Sequence, residues 1–394
     1  MAADPRLEAL RALADTAARI ARGTTTARLM LAGLRDTVDP ATLQPAARDR
    51  VMAELERAHA EATVPLAFTE VEKALAQAWG QPPTGVLDAL DPEPVACTPA
   101  AQIHRGVHEG AAVAVKILRP GIADQVRLDL NLLETLIRPL GSVFPSLAPG
   151  VLLREVRERV LDELDLEHEA STQRAFARAL KRHDTLFVPA PVSALCHERV
   201  LVSAWVEGTP VGELTDVGER AAAARALVRF HVGSARFGTV HADPHPHDAL
   251  LMADGRVAFL DFGAVRQVPA TRVDEAGIAL DALLAGDPEG LGASLDRLGW
   301  LPAAVGPTAL FLGRDILAGH LDGPSRLDAA AVMAVGDRAV GHAEALWPLA
   351  EVASVPPEDL WPLRMIGALV TLLARLDVED DWPALVKDAA RTGW

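Results

Sequence analysis

The sequence lacks tyrosine altogether and contains only two cysteines and four lysines among its 394 residues. Without tyrosine, no phenol can serve as an acid, a base or a nucleophile. Cys97 and Cys196 provide neither a disulfide framework nor the spacing of zinc ligands. No stretch approaches the roughly 18 uninterrupted apolar residues of a membrane-spanning helix. The longest apolar segment, 365–373, is flanked by Arg364 and Arg375 and is expected to be a buried helix.

The charge balance is acidic, with 38 basic and 54 acidic side chains and a net charge of −16. Nucleic-acid binding requires a clustered basic face to neutralise phosphates, so no nucleic-acid partner is expected. Apolar residues make up 50% and charged residues 23% of the chain, which is typical of a folded protein. The length suits two or three lobes, each with a core of its own.

The basic residues are almost all arginine, which accounts for 34 of the 38. Codon bias toward GC-rich codons explains this skew, since such codons also favour alanine, glycine and proline. Each lysine nevertheless becomes informative in such a background. The four are Lys73, Lys116, Lys181 and Lys387.

The first twenty residues include acidic side chains and no continuous apolar core, unlike a signal or transit peptide. We therefore expect a soluble, cytoplasmic protein. Peripheral membrane contact and the oligomeric state stay open.

Hydrophobic periodicity divides the chain into three parts and predicts an α+β fold. Residues 1–85 are predicted to be a helical extension, residues 86–206 a smaller lobe containing strands, and residues 207–394 a mostly helical lobe. In the smaller lobe, strands are expected at 100–107 and 111–118. Alternation in the second strand places Lys116 on the face opposite Val113, Val115 and Ile117. In the larger lobe, Asp254-Gly255 between two apolar runs predicts a hairpin.

Three short motifs occur in the order that ATP-dependent phosphoryl transfer uses. Val113-Ala-Val-Lys116 lies on a predicted strand, His241-x-Asp243 precedes Asp248 on a loop, and Asp261-Phe-Gly263 follows a hairpin strand. Such chemistry needs a lysine for the ATP phosphates, a carboxylate that holds this lysine, oxygen ligands for Mg²⁺, and a base for the acceptor hydroxyl. Each motif alone is weak, because Lys116 could be a solvated strand lysine and Asp261-Phe-Gly263 a simple turn. Their order and context together favour a kinase-like fold.

The segment 94–268 resembles the UbiB-type (AarF/UbiB) atypical kinase family, which is linked to ubiquinone biosynthesis. The most distinctive match is the run His-Ala-Asp-Pro-His-Pro at 241–246. The other matching segments are the Ala-rich loop at 96–105, the lysine strand at 114–122, the glutamate helix at 163–170 and the metal motif at 260–263.

The resemblance implies a two-lobed protein kinase-like fold with a helical N-terminal extension. It also implies ATP and Mg²⁺ as ligands and gives roles to individual residues. Lys116 would contact the ATP phosphates and pair with Glu169, and Asp243 would occupy the position of the catalytic base. Asp248 and Asp261 would bind the metal. The cofactor-binding positions implied besides Lys116 are Ala100 and Ala101 of the Ala-rich loop and the Glu163-x-Asp165 motif.

The charged helix that contains this last motif has an alternative interpretation. Arginine and glutamate side chains four residues apart would also stabilise an ordinary solvated helix face.

The sequence departs from the family pattern at two places. The family usually has Gly-Asn where this chain has His247-Asp248, which adds a negative charge beside Asp243 and Asp261. His247 would then occupy a tight turn that glycine normally fills. The family's N-terminal Lys-x-Gly-Gln motif is missing, and its nearest counterpart is the segment 28–31.

These features favour an atypical kinase or ATPase that transfers or hydrolyses the γ-phosphate, with a small-molecule or lipid-linked acceptor. A divergent pseudokinase that serves as a nucleotide-binding or interaction protein is the main alternative. A phosphotransferase of the aminoglycoside-kinase type shares the catalytic loop pattern. A metal hydrolase is the fourth possibility, with zinc held by His241, Asp243, His245, His247 and Asp248.

Overall fold

A computed structural model describes residues 40–43, 45–137 and 164–394, together with Arg35, Arg157 and Leu161. Among the described residues, the α-helices α1 (Pro45–Ala62) and α2 (Phe68–Trp79) precede the first sheet. Helix α2 ends at Gly80, whose φ of 69° places it in the left-handed region that glycine adopts at low cost. The first part of the predicted helical extension, including the segment 28–31, lies outside the described residues.

A five-stranded sheet follows α2. Its strands are β1 (Ala89–Leu90), β2 (Ala96–Cys97), β3 (Ala101–His108), β4 (Ala111–Leu118) and β6 (Val200–Ala204). They are ordered β1-β3-β4-β6, with β2 also paired to β3, and the pairs are antiparallel. The hairpin of β3 and β4 turns at Glu109-Gly110, and both of these residues have positive φ. This hairpin agrees with the two predicted strands to within one residue at each end.

One face of the sheet packs against α2. Val113, Val115 and Ile117 of β4 are buried together with Val71 and Leu75 of the helix in one apolar core. Lys116 lies between these β4 positions in sequence, so the period-two arrangement of the strand directs it to the other face. On that face α4 (Leu166–Ala179) packs against Leu118 and Leu201 through Leu166 and Ala170. The helix α3 (Ile122–Ile137) precedes α4 in the chain.

A larger helical part surrounds α5 (Val217–Arg236). Phe230 of α5 is fully buried and stacks on Phe259, with 3.6 Å between ring centroids. Short strands carry the motif loops beside α5. They are β5 (Leu186–Phe187), β7 (Thr209–Pro210), β8 (Thr239–His241), β9 (Ala249–Leu251), β10 (Val257–Phe259) and β11 (Val265–Gln267). The predicted Asp254-Gly255 hairpin is formed by β9 and β10, and β8 pairs with β11.

The remaining chain is helical, as predicted, except for one pair of strands. Strands β12 (Ser325–Leu327) and β13 (Val378–Asp380) pair antiparallel although about fifty residues separate them. The helices are α6 (Ala270–Ala285), α7 (Pro288–Arg297), α8 (Gly306–Ile316), α9 (Ala329–Gly341), α10 (Ala343–Val352), α11 (Leu360–Leu376) and α12 (Trp382–Thr392). Helix α11 packs against α5 and β8, and α12 packs against α5. Within the described residues, no helix is both long and apolar enough to cross a bilayer.

Candidate functional site

Lys116 and Glu169 meet on the face of the sheet that is opposite α2. Lys116 Nζ donates hydrogen bonds to Glu169 Oε1 at 2.8 Å and to Glu169 Oε2 at 2.9 Å. The strand β4 supplies the lysine, and α4 supplies the glutamate from its first turn. The glutamate side chain is only 2% exposed, so the pair lies inside the protein rather than on a solvated helix face.

Asp261 joins this pair from the other part of the chain. Its Oδ2 lies 3.0 Å from Lys116 Nζ, and its Oδ1 accepts a hydrogen bond from Gly263 N at 2.9 Å. The residue follows β10 directly after Leu260, so the sheet that contains β9 and β10 fixes its position. The Asp261 side chain is 40% exposed, and the lysine therefore lies at the boundary between the interior and an accessible surface.

The charges of these three groups depend on one another. Burial lowers the pKa of the Lys116 ammonium, but the nearby carboxylates of Asp261 and Glu169 outweigh it, so the pKa is raised. Burial raises the pKa of Glu169 to about 7, and Lys116 opposes that shift. Burial also acts to raise the pKa of Asp261, but Lys116 and the Gly263 N–H lower it well below its usual range. Lys116 and Asp261 are accordingly ionised at neutral pH, whereas Glu169 titrates near neutrality.

His241 connects the catalytic-loop motif to the backbone of the metal motif. Its side chain is 3% exposed, and its Nε2 lies within hydrogen-bond distance of the Asp261 carbonyl oxygen. Its own carbonyl oxygen accepts from His231 Nδ1 at 3.1 Å. Burial lowers the pKa of His231 well below its normal value, so His231 is neutral. His241 therefore positions the loop and does not face an accessible metal site.

Asp243 lies on the same loop and is paired with a residue that the motifs do not include. Its Oδ1 accepts a hydrogen bond from Arg364 Nη2 at 2.8 Å. The side chain of Asp243 is 38% exposed and that of Arg364 is 43% exposed, so the pair is at the surface of the loop region. Arg364 belongs to α11 and is 121 residues away in sequence. In the sequence it was noticeable only as the charged flank of the apolar segment 365–373.

Asp248 is held close to Asp261 by the backbone. Its carbonyl oxygen accepts from Leu260 N at 2.9 Å, and its Oδ2 lies 3.5 Å from His245 Nδ1. The tight turn expected at His247 does not require left-handed backbone. The non-glycine residues with positive φ among those described are Glu109 and Asp377. Histidine therefore replaces glycine here without backbone strain.

The arrangement of acids bears on the two metal interpretations. In the described part of the chain, no group of three or more His, Cys, Asp or Glu side chains is placed to hold a metal ion. The zinc-hydrolase alternative needs such a group among His241, Asp243, His245, His247 and Asp248, and it loses its support. Mg²⁺ has a lower requirement, since it is commonly bound by one or two carboxylates together with phosphate oxygens and water. Asp261 and Asp248 suit that role, because both present carboxylate oxygens that are about 40% exposed.

The remaining predicted cofactor residues have structural contacts of their own. Ala101 begins β3 and is 1% exposed within an apolar cluster, whereas Ala100 accepts from Arg119 N through its carbonyl oxygen at 2.9 Å. Asp165 caps α4, since its Oδ1 accepts from Glu167 N at 3.0 Å and from His168 N at 3.1 Å. Glu163 lies outside the described residues. The cofactor roles of these residues stay predictions.

Comparison with known proteins identifies the family of the chain. The family model of the ABC1 atypical kinase-like domain matches residues 59–293, which is more than half of the chain. The uncharacterised protein sll0005 of Synechocystis is 30% identical over 216 residues, covering 52% of this chain and 30% of that protein. The probable protein kinase UbiB of Aeromonas salmonicida is 31% identical over 180 residues, covering 43% of this chain and 33% of that protein.

Two further comparisons concern length and fold. An uncharacterised aarF domain-containing protein kinase of Arabidopsis thaliana is 30% identical over 257 residues, covering 60% of this chain and 46% of that protein. The chain thus matches less than half the length of these curated relatives. A Mycobacterium tuberculosis protein, Rv3197, solved in complex with erythromycin, superposes with a TM-score of 0.63 at 22% identity and 96% coverage of both chains. The chain belongs to the ABC1 atypical kinase-like domain family, the group that includes the UbiB-type kinases.

Proposed function

We propose that this protein binds Mg-ATP and transfers or hydrolyses its γ-phosphate, with the sheet-bearing part and the helical part acting as the two lobes of a kinase. The observation that carries the proposal is the position of Lys116 Nζ, which lies within 3.0 Å of both Glu169 and Asp261. These three side chains come from β4, α4 and the loop after β10. Phosphoryl transfer uses the same combination of a strand lysine, a helix glutamate and a metal-binding aspartate.

Each residue has a defined task in this proposal. Lys116 remains protonated at working pH because its pKa is raised, so it can neutralise the α- and β-phosphates. Glu169 holds the ammonium from the buried side. Asp261, which stays ionised, and Asp248 would hold the metal through their carboxylates. Mg²⁺ held by these carboxylates would neutralise the charge that develops on the phosphates.

Asp243 completes the set as the base that accepts the proton of the attacking hydroxyl. Its Oδ1 is engaged by Arg364, which leaves Oδ2 for that proton. The acceptor is proposed to be a small or lipid-linked molecule, with water as the acceptor if the protein is an ATPase. Peripheral membrane contact would suit the lipid-linked case. The Ala-rich loop would cover the nucleotide from the sheet side.

Phosphate release in the presence of Mg-ATP tests the proposal. Wild-type protein should release phosphate above the uncatalysed rate, and Asp261→Asn should reduce that rate to background because a metal ligand is lost. The matched control is Asp254→Asn, an exposed aspartate of the β9–β10 hairpin that pairs with Arg256 at 2.7 Å. If nucleotide stabilises the fold but wild type and Asp261→Asn show equal background release, the protein is a pseudokinase instead.

A further inference from the structure

The loop that contains the proposed base lacks a lysine or arginine of its own. Residues 241–248 include Asp243 and Asp248 but no lysine or arginine. Lys116 is already shared by Glu169 and Asp261. A phosphoryl group that moves toward an acceptor beside Asp243 would therefore meet acids on the loop and lack a cation on the acceptor side.

Arg364 supplies a cation at that place. Its Nη2 hydrogen-bonds to Asp243 Oδ1 at 2.8 Å, and a base must itself lie within about 3 Å of the proton that it accepts. The guanidinium is thus within one hydrogen bond of the carboxylate around which acceptor and phosphoryl group meet. Among the described residues, Asp243 is the hydrogen-bond partner of Arg364. The other N–H donors of the guanidinium can therefore turn to a phosphoryl oxygen.

The helix α11 fixes the position of the Arg364 backbone. Trp361, Met365 and Leu369 are buried at spacings of four residues and anchor one face of α11 in the core. Arg364 leaves the helix at the edge of that face, and its Cζ lies 5.5 Å from the ring centroid of Trp361. Contact with an aromatic face limits the freedom of the guanidinium. The cation is therefore oriented before the substrate binds.

We infer that Arg364 is a further catalytic residue, an arginine supplied by α11 that contacts the transferring γ-phosphoryl group and stabilises its developing charge. This inference rests on the proposed function. The bond between the γ-phosphorus and the bridging oxygen breaks, and its electron pair stays with ADP. The acceptor hydroxyl, or water, forms the new P–O bond and gives its proton to Asp243. Arg364 remains protonated throughout and redistributes its hydrogen bonds from Asp243 toward the phosphoryl oxygens.

Steady-state kinetics with Arg364→Gln and Arg364→Lys tests the inference. Arginines that stabilise such charge contribute two or more orders of magnitude to kcat, so Arg364→Gln should lower kcat about 100-fold or more. The KM for Mg-ATP should change little, because Lys116 and Asp261 hold the nucleotide. Arg364→Lys should recover only part of the loss, since a compact ammonium lacks the planar fork. Added methylguanidine should restore turnover to Arg364→Ala, which a merely structural ion pair would not allow.

The matched control is Arg326→Ala. It removes a similarly exposed ion pair between Arg326, which lies on β12, and Asp377, away from the loop. Its kcat should equal that of wild type. The inference is overturned if Arg364→Gln keeps its kcat within about threefold of wild type, or if it gains activity, which would make the pair an inhibitory contact. Either result leaves the proposed function intact when wild type remains active. If wild type shows no turnover, the proposed function fails first and the inference fails with it. Should Arg364→Gln fold poorly, methylguanidine rescue of Arg364→Ala decides alone.

Discussion

Lys116 donates to both carboxylate oxygens of Glu169, at 2.8 and 2.9 Å, across a sequence separation of 53 residues. The same ammonium reaches Asp261 at 3.0 Å. The chain has 34 arginines and only four lysines, and one of these lysines lies where three structural elements converge.

The first prediction concerns the identity of this cation. Lys116→Arg should abolish nucleotide-dependent phosphate release although it keeps the charge. The planar guanidinium is larger than an ammonium and cannot occupy the same point between Glu169 and Asp261. Phosphate release by the purified variant measures the effect, and Lys387→Arg, at a surface pair with Asp281, serves as the control. Turnover at the wild-type rate in Lys116→Arg would show that the lysine is incidental.

The second prediction concerns stability. Lys116→Met leaves Glu169 buried without its main partner, and breaking a buried ion pair on one side costs about 3–5 kcal/mol. We expect the free energy of unfolding at pH 8 to fall by about 3 kcal/mol, because Lys116 remains 16% exposed and some solvent can reach the site. The double variant Lys116→Met with Glu169→Gln should recover most of the loss. Denaturant titration of the single and double variants gives both values, and a failure of the second change to rescue stability would contradict the pairing.

The third prediction follows from the pKa of Glu169, which is about 7 in the folded protein and about 4.3 in an unfolded chain. Between these values the folded state binds more protons at this site than the unfolded state. The contribution of Glu169 to stability is therefore fully present below about pH 4.3 and is lost as the pH rises through 7. The kcat for phosphate release should instead rise as the pH increases through 7, because an ionised Glu169 holds Lys116 better.

Glu169→Gln provides the measurement for this prediction. It should remove the part of the stability change between pH 4.3 and 7 that belongs to Glu169, and it should flatten the rise of kcat near pH 7. A pH–stability curve of Glu169→Gln that coincides with that of wild type would contradict the assignment.

The fourth prediction concerns the aspartate that stands where the family usually has asparagine. Asp248→Asn should weaken Mg²⁺ binding several-fold, because a carboxylate is a stronger ligand for Mg²⁺ than an amide. Titration of Mg²⁺ in the presence of ADP measures the change. The control is Asp243→Asn on the same loop, which should abolish turnover and leave Mg²⁺ affinity almost unchanged. Equal Mg²⁺ affinities for wild type and Asp248→Asn would place the metal elsewhere.

Local sequence patterns predicted the parts of the site that lie on regular elements. The alternation of β4 predicted that Lys116 lies on the face opposite its buried β-branched neighbours. The Asp254-Gly255 turn predicted that Asp261 follows a hairpin strand. The alternation of apolar residues along a strand and the residues that form a turn are properties of a few adjacent positions, so they can be recognised in one sequence.

Tertiary contacts were not predictable in the same way. Arg364 meets Asp243 across 121 residues, and β12 pairs with β13 across about fifty. No local pattern encodes such partners. The packing of α2 in the same core as the sheet was also missed, because an amphipathic helix shows which face is buried but not what covers it.

The most direct test of the account is the effect of Mg-ATP on thermal unfolding of wild type and of Lys116→Met. Binding to the folded state alone raises the melting temperature in proportion to the logarithm of ligand concentration above Kd. We predict a concentration-dependent increase for wild type with Mg-ATP, a smaller one with ATP and EDTA, and none for Lys116→Met. A wild-type melting temperature that is unaffected by Mg-ATP, or an equal increase in Lys116→Met, would contradict the claim that Lys116, Glu169 and Asp261 form a nucleotide site.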